Sequence, residues 1–152
     1  MNQKQIEQVQ FIFAQIFILS NRLQTACEKI QSQITMKQWL MLAIISKEEG
    51  SLNLSEIAGI MGCSRQNIKK LANPLKKKDF IRFEKGNNNS INIIATEKFT
   101  NYQRQIELNQ VKSLDLLFSE FDTSEISSLY RYFEKLDQGI SKVEEFGDSV
   151  DG

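Results

Sequence analysis

From Ile6 onward, apolar or small residues return at Val9, Phe13, Ile16, Ser20, Leu23, Cys27 and Ile30, in steps that alternate three and four. That spacing keeps one face of an α-helix turned toward a partner helix, so a long helix with a pairing seam is predicted. Phe11, Ile12, Phe17, Ile18 and Leu19 add apolar surface on other faces, which a lone surface helix would not leave in water. More than one partner is therefore expected. Periodicity reports burial and not whose chain does the burying, so a buried core helix of a monomer is the competing reading.

The same alternation closes the chain. Asp122-Thr-Ser-Glu125 has the form of a capping box, and Ile126, Leu129, Phe133, Leu136, Ile140 and Val143 follow it as a second pairing seam. Before it, Thr96 caps a helix expected to reach about Phe121, with Phe99, Tyr102, Ile106, Leu114, Leu117 and Phe118 as its apolar positions. Another helix starts at the box Thr35-x-x-Gln38 and passes through Trp39, Leu42, Ala43 and Ile45 to about Glu49, where Gly50 stops it. Trp39 reads as a core anchor. The tail from Gly147 is expected to fray.

The centre of the chain changes character. Asn53-Leu-Ser-Glu56 can box the start of a short helix, Leu54 to Met61, with Ile57, Ala58 and Met61 inward, and Gly62-Cys63 supplies a tight turn. Ser64 is a good N-cap for the next helix, whose Ile68, Leu71 and Leu75 make one apolar stripe. Its open faces carry Arg65, Gln66, Asn67, Lys69 and Lys70, side chains able to fork onto guanine, bridge adenine or neutralise phosphate from the first turns of a helix lodged in a major groove. Short helix, glycine turn and polar-fronted helix make a helix-turn-helix. Pro74 removes the bond to the carbonyl of Lys70 and is expected to bend the helix beyond its reading turns, redirecting Lys76 to Lys78. Asp79 to Lys85 and Ser90 to Ala95 then read as two strands joined by Gly86-Asn-Asn-Asn89, residues that accept positive φ, so a hairpin wing is expected.

Charge favours a reading helix over an ordinary solvated face. Residues 64–85 hold eight basic and two acidic side chains, an excess of six on a chain of zero net charge, so the remainder carries minus six. A basic island on a neutral chain is a localised electrostatic footprint. The last helix is the opposite: Glu125, Glu134, Asp137, Glu144, Glu145, Asp148 and Asp151 outnumber Arg131, Lys135 and Lys142.

Composition removes other classes. At 152 residues and 41% hydrophobic content the chain has a core's worth of material, and one proline with seven glycines favours long helices. No histidine is present and the two cysteines are distant, so neither a zinc site nor a Ser-His-Asp arrangement can be built, and no enzyme, metal or cofactor is expected. Two cysteines point to a reducing compartment. The apolar run Phe11 to Leu19 is interrupted by Gln15, lacks a cleavage site and is shorter than the roughly 20 residues of a membrane span, so no targeting segment, no membrane partner and a cytoplasmic location are expected. A helix N-terminus favours a thiolate, so Cys63 is either a redox switch or an inert turn residue.

Helices with pairing seams around a helix-turn-helix and wing resemble the MarR family of bacterial transcriptional regulators. Ile34-Thr-Met-Lys-Gln-Trp39 with Leu42 is similar to the family's LTxxQWxxL segment. Leu54-Ser-Glu-Ile-Ala58 with Met61-Gly-Cys-Ser64 is similar to its helix-turn-helix, Ser64-Arg-Gln-Asn-Ile68 to the recognition helix of some members, and Asp122-Thr-Ser-Glu125 to the start of its last helix. The likeness runs from about Ile6 to Phe146. It departs at the wing, where Asn87-Asn-Asn-Ser90 stands in place of an Asp-Arg-Arg type of sequence, and at Phe99, where the family has glycine.

The fold expected is mainly α: a winged helix-turn-helix domain over 34–99, a helical dimerisation region from 1–33 and 100–147, and a flexible tail at 148–152. The function expected is that of a homodimeric, sequence-specific regulator, a repressor, on a pseudo-palindromic operator. Arg65, Gln66, Asn67 and Lys69 are assigned to bases, and Ser64, Lys70, Lys76, Arg82 and Lys85 to phosphates, with Asn87 and Asn88 at the wing tip. Ile6, Val9, Phe13, Ile16, Leu129, Phe133, Leu136 and Ile140 are assigned to the dimer seam. The resemblance also implies a small aromatic ligand that releases DNA, in a pocket near Phe17, Trp39 and Met41. The alternative is a helical ligand- or protein-binding dimer whose DNA recognition has weakened or gone.

Overall fold

The computed structural model describes residues 1–47 and 51–150. Among the described residues the chain forms six α-helices and three strands, in the order α1 (Gln3–Ile30), α2 (Met36–Lys47), β1 (Leu52–Asn53), α3 (Leu54–Met61), α4 (Arg65–Lys77), β2 (Ile81–Lys85), β3 (Ile91–Ala95), α5 (Glu97–Leu117) and α6 (Thr123–Val150). The chain divides into two compact units, Met1–Asn109 and Gln110–Gly152, with the division inside α5.

The three capping boxes expected at helix starts all form. Asn53 accepts from the N–H groups of Ser55 and Glu56 at 2.9 and 3.0 Å while Glu56 answers the Asn53 N–H at 2.8 Å, closing the box on α3. Thr35 and Gln38 close a second box at 3.0 and 3.1 Å, and Asp122 and Glu125 a third at 2.9 and 2.8 Å. A fourth, Asn2 with Gln5, starts α1 just ahead of its first seam position, Ile6.

In the first unit the core is the inner surface of α2, α3 and α4 closed by β3 and α5. Met41, Leu42, Ile57, Ile68, Ala72 and Ile93 are completely buried, and Leu54, Leu75 and Phe99 nearly so. Each large side chain among them contributes about 1.5–3 kcal/mol by leaving water. Phe80 stacks on Tyr102 at 5.2 Å between ring centroids and meets Phe99 edge-on at 6.1 Å, which fixes α5 over the base of the hairpin. Trp39 is half-buried against this core. The stripe of α4 consists of Ile68, Ala72 and Leu75, with Leu71 only half-buried, because the face turned to the core follows the four-residue step from Ile68.

The sheet is antiparallel with order β1-β3-β2, so β3 is central and β2 lies at an edge. Ile81 pairs with Ala95 and Lys85 with Ile91, the register of a hairpin. Strand β1, two residues pairing Leu52 with Ile93 and Asn53 with Asn92, is too short to show any alternation in sequence.

In the second unit α5 ends at Leu117, four residues before the expected Phe121. The chain turns there: Phe121 N–H donates to the Phe118 carbonyl at 3.0 Å and the two rings meet edge-on at 5.8 Å. Helix α6 holds to Val150, past the expected fraying point at Gly147. The expected end of α2 at Glu49 and Gly50, and the last two residues of the expected tail, lie outside the described residues. Among the described residues no helix is long and apolar enough to cross a membrane.

Candidate nucleic-acid interface

The turn between α3 and α4 depends on one backbone conformation. Gly62 has φ +63°, its N–H closing on the carbonyls of Ala58 and Gly59, and Cys63 N–H reaches Ala58 at 3.0 Å. A side chain at Gly62 would meet nothing within 4 Å, so the demand is conformational and not steric. Ser64 then caps α4, its hydroxyl accepting from Asn67 N–H at 3.2 Å.

Burial of Ile68, Ala72 and Leu75 fixes the roll of α4 and therefore what faces outward. Arg65, Gln66, Asn67, Lys69 and Lys70 are all exposed. Among the described residues none of the three cationic side chains has an ion-pair or hydrogen-bond partner. The front of α4 thus presents Arg65, Lys69 and Lys70 without internal neutralisation.

The C-terminal part of α4 is employed differently. The helix continues through Pro74 to Lys77. Lys76 lies over the Phe83 ring at 5.0 Å, and Lys78 donates to the Gln33 carbonyl ahead of α2. Lys98 in turn donates to the Lys78 carbonyl at 2.7 Å. These contacts anchor the helix end to its own unit, a use of Lys76 and Lys78 that the sequence did not suggest.

The wing is formed by β2, β3 and a single 3₁₀ turn, Asn87–Asn89. Asn88 and Asn89 take the positive φ values, 53° and 59°, while Gly86 does not. Gly86 lies close to its neighbours instead: a Cβ there would require the side-chain ends of Ser90 and Asn92 to shift. Asn87 and Asn88 stand exposed at the tip and Lys85 beside it. Arg82, expected to face phosphate, is engaged: its Nε donates to Glu84 Oε1 at 2.8 Å. An arginine and a glutamate two apart on a strand share a face, and that spacing was the available signal.

Beside α4 lies an open groove of about 630 Å³ whose lining includes Leu23, Trp39, Leu40, Met61, Cys63 and Lys70. The Trp39 indole N–H is buried without a partner among the described residues. Of the positions expected near a ligand, Trp39 lines this groove. Met41 does not, being fully buried in the core, and Phe17 is exposed on α1. Cys27 and Cys63 are free thiols.

Residues 34–90, which span α2 to the wing tip, match the family model described as MarR family. That segment is of MarR type. The chain is similar to the transcriptional repressor MprA of Escherichia coli K12, 27% identical over 117 residues that make up 74% of this chain and 66% of the repressor. The match therefore spans just under two thirds of that relative's length. Its fold is that of a MarR/EmrR family transcriptional regulator from Acinetobacter sp. ADP1, with a TM-score of 0.77 at 19% identity over 88% of this chain and 96% of the other. It is also that of the PcaV transcriptional regulator from Streptomyces coelicolor, solved in complex with its natural ligand, with a TM-score of 0.66 at 13% identity over 79% and 89%. The MarR winged helix is thus the frame in which the basic front of α4 is set.

Proposed function

We propose that the protein is a homodimeric, sequence-specific DNA-binding transcriptional regulator that acts as a repressor. The observation that carries this reading is the front of α4: Arg65, Gln66, Asn67, Lys69 and Lys70 exposed together in the first turns of a capped helix, on a chain of zero net charge. In this reading Arg65, Gln66, Asn67 and Lys69 read base edges, and Ser64, Lys70 and Lys85 hold phosphates. Lys76 and Arg82 would reach phosphate from positions already engaged with Phe83 and Glu84. The wing contributes amides, from Asn87 and Asn88, where a cation would bind more strongly.

The dimer is supported by the two long helices. Neither α1 nor α6 has a buried residue, although Phe13 is 65% and Phe133 63% exposed, and Val9, Ile16, Leu136 and Ile140 are exposed with them. Ile6 and Leu129 are half-buried. Apolar seams of this length are left in water only at a cost that a second copy removes. A small aromatic ligand in the groove beside Trp39 would sit against Lys70 and Asn67 of α4, which gives ligand binding a route to the reading helix. PcaV, similar in fold, has a natural ligand.

Selection of bound sequences from a random duplex pool, with the mass of the free protein measured by sedimentation, tests the reading. The expected result is a dimer and a pseudo-palindromic site with half-sites about one DNA turn, roughly 34–36 Å, apart. Duplex affinity that vanishes at moderate salt with no enriched sequence would overturn it. That outcome would favour a helical dimer that binds a ligand or protein and has lost DNA recognition, a second reading supported by the arginine-free wing tip and the engaged Arg82.

A further inference from the structure

We propose that Glu84 sets the strength of the wing's contact with duplex phosphate, by holding Arg82 in an ion pair that a phosphate must displace or share. The proposal rests on the DNA-binding reading above and names the residue that tunes it.

The geometry places the two side chains on one face of the edge strand β2, Arg82 opposite Ile94 and Glu84 opposite Asn92. Their contact, Nε to Oε1 at 2.8 Å, is the one salt bridge among the described residues. The side chains are 59% and 46% exposed, so the pair stands in water, where such pairs are weak and an incoming anion competes with the carboxylate. Only Nε is used. A guanidinium has five N–H donors, and the remaining edge of Arg82 stays available to a second acceptor.

Charge gives this pair its consequence. Between Phe80 and Thr96 the only ionisable side chains are Arg82, Glu84 and Lys85, so Glu84 halves the net charge of the wing from plus two to plus one. The tip adds none, being Asn87, Asn88 and Asn89. Non-specific duplex affinity is carried almost wholly by neutralised phosphates. A carboxylate that occupies the wing arginine therefore lowers the grip on unrelated DNA, and leaves discrimination to the unpaired front of α4.

The test uses the full chain with Glu84→Gln, Arg82→Gln and the double variant, each titrated with the selected site and with an unrelated duplex over a series of salt concentrations. Glutamine keeps an acceptor for Arg82 and removes the charge. For E84Q we expect unrelated duplex to bind about three- to tenfold more tightly and the salt slope to steepen by about 0.9 for each further phosphate neutralised. R82Q is expected to weaken E84Q more than it weakens the unsubstituted protein, erasing the gain. Affinity and slope of E84Q equal to those of the unsubstituted protein would overturn the proposal, as would a gain that survives in the double variant. Failure of the unsubstituted protein to bind any duplex at low salt would overturn the DNA-binding reading itself, and this proposal with it; binding without an E84Q effect overturns this proposal alone.

Discussion

The side-chain amide of Gln38 donates to the backbone carbonyl of Leu71 across 3.2 Å, tying the first turn of α2 to the middle of α4. The same side chain accepts from Thr35 N–H at 3.0 Å, and the residue is only 8% exposed. Gln38→Glu keeps the acceptor for the cap but sets a carboxylate against a carbonyl in a buried site. It is expected to lower unfolding free energy by about 3 kcal/mol, and Gln38→Leu, which loses both bonds without burying charge, by about 1–2 kcal/mol. Urea unfolding of the two variants checks the order, and Glu tolerated as well as Leu would contradict it.

Tyr102 makes stability depend on pH. The residue is 6% exposed, its hydroxyl has no hydrogen-bond partner of good geometry, and burial pushes its pKa above 10.0, with the nearby Gln33 backbone pulling less strongly the other way. Burial favours the neutral phenol in the fold, so the associated stability is complete below the unfolded value and is lost as pH rises through the folded one. Tyr102→Phe is expected to be at least as stable at about pH 8 and to lose less stability by about pH 10.5. Thermal unfolding at both pH values decides, and parallel losses in the two proteins would contradict the assignment.

Asp79 ends α4 with φ +59°, between the bonds Asp79 N–H to Lys76 and Phe80 N–H to Leu75, both 3.0 Å. That left-handed position is where helices most often place glycine. Asp79→Gly is expected within about 0.5 kcal/mol of the unsubstituted protein, relief of strain being offset by greater freedom of the unfolded chain, and Asp79→Val about 1–2 kcal/mol lower. Denaturation midpoints that rank Val level with Gly would contradict a strained backbone here.

Much of this molecule is legible in sequence because its signals are local. The boxes Asn53/Glu56, Thr35/Gln38 and Asp122/Glu125 fix helix starts through bonds between residues three apart, and helix α3 runs from Leu54 to Met61 as the pattern indicates. What escapes is non-local. Strand β1 exists because Ile93 and Asn92 lie beside it, not because Leu52-Asn53 favours extension. The pairing of Lys76 with Phe83, of Lys78 with Gln33 and of Gln38 with Leu71 depends on how elements pack, so two lysines that look free in sequence, and a glutamine legible only as a cap, also tie elements together. The apolar rhythm overruns the end of α5 at Leu117 because Phe118 and Phe121 continue it while turning back on each other.

The exposed seams of α1 and α6 give the dimer a direct test. Phe13→Glu and Phe133→Glu each place a charge where the proposed partner would cover it, leaving the single-chain core untouched because neither side chain is buried. Each is expected to shift the protein toward monomer in sedimentation equilibrium while keeping its helical circular dichroism. Two unaltered dimers would contradict the assignment of these seams.

The central claim is that the front of α4 meets duplex phosphate and base edges. The most direct measurement is the salt dependence of operator binding for Arg65→Gln with Lys69→Gln. Removal of two cations per protomer is expected to weaken binding and to flatten the slope by about 0.9 for each phosphate no longer neutralised. An affinity and a slope unchanged by both substitutions would contradict the claim.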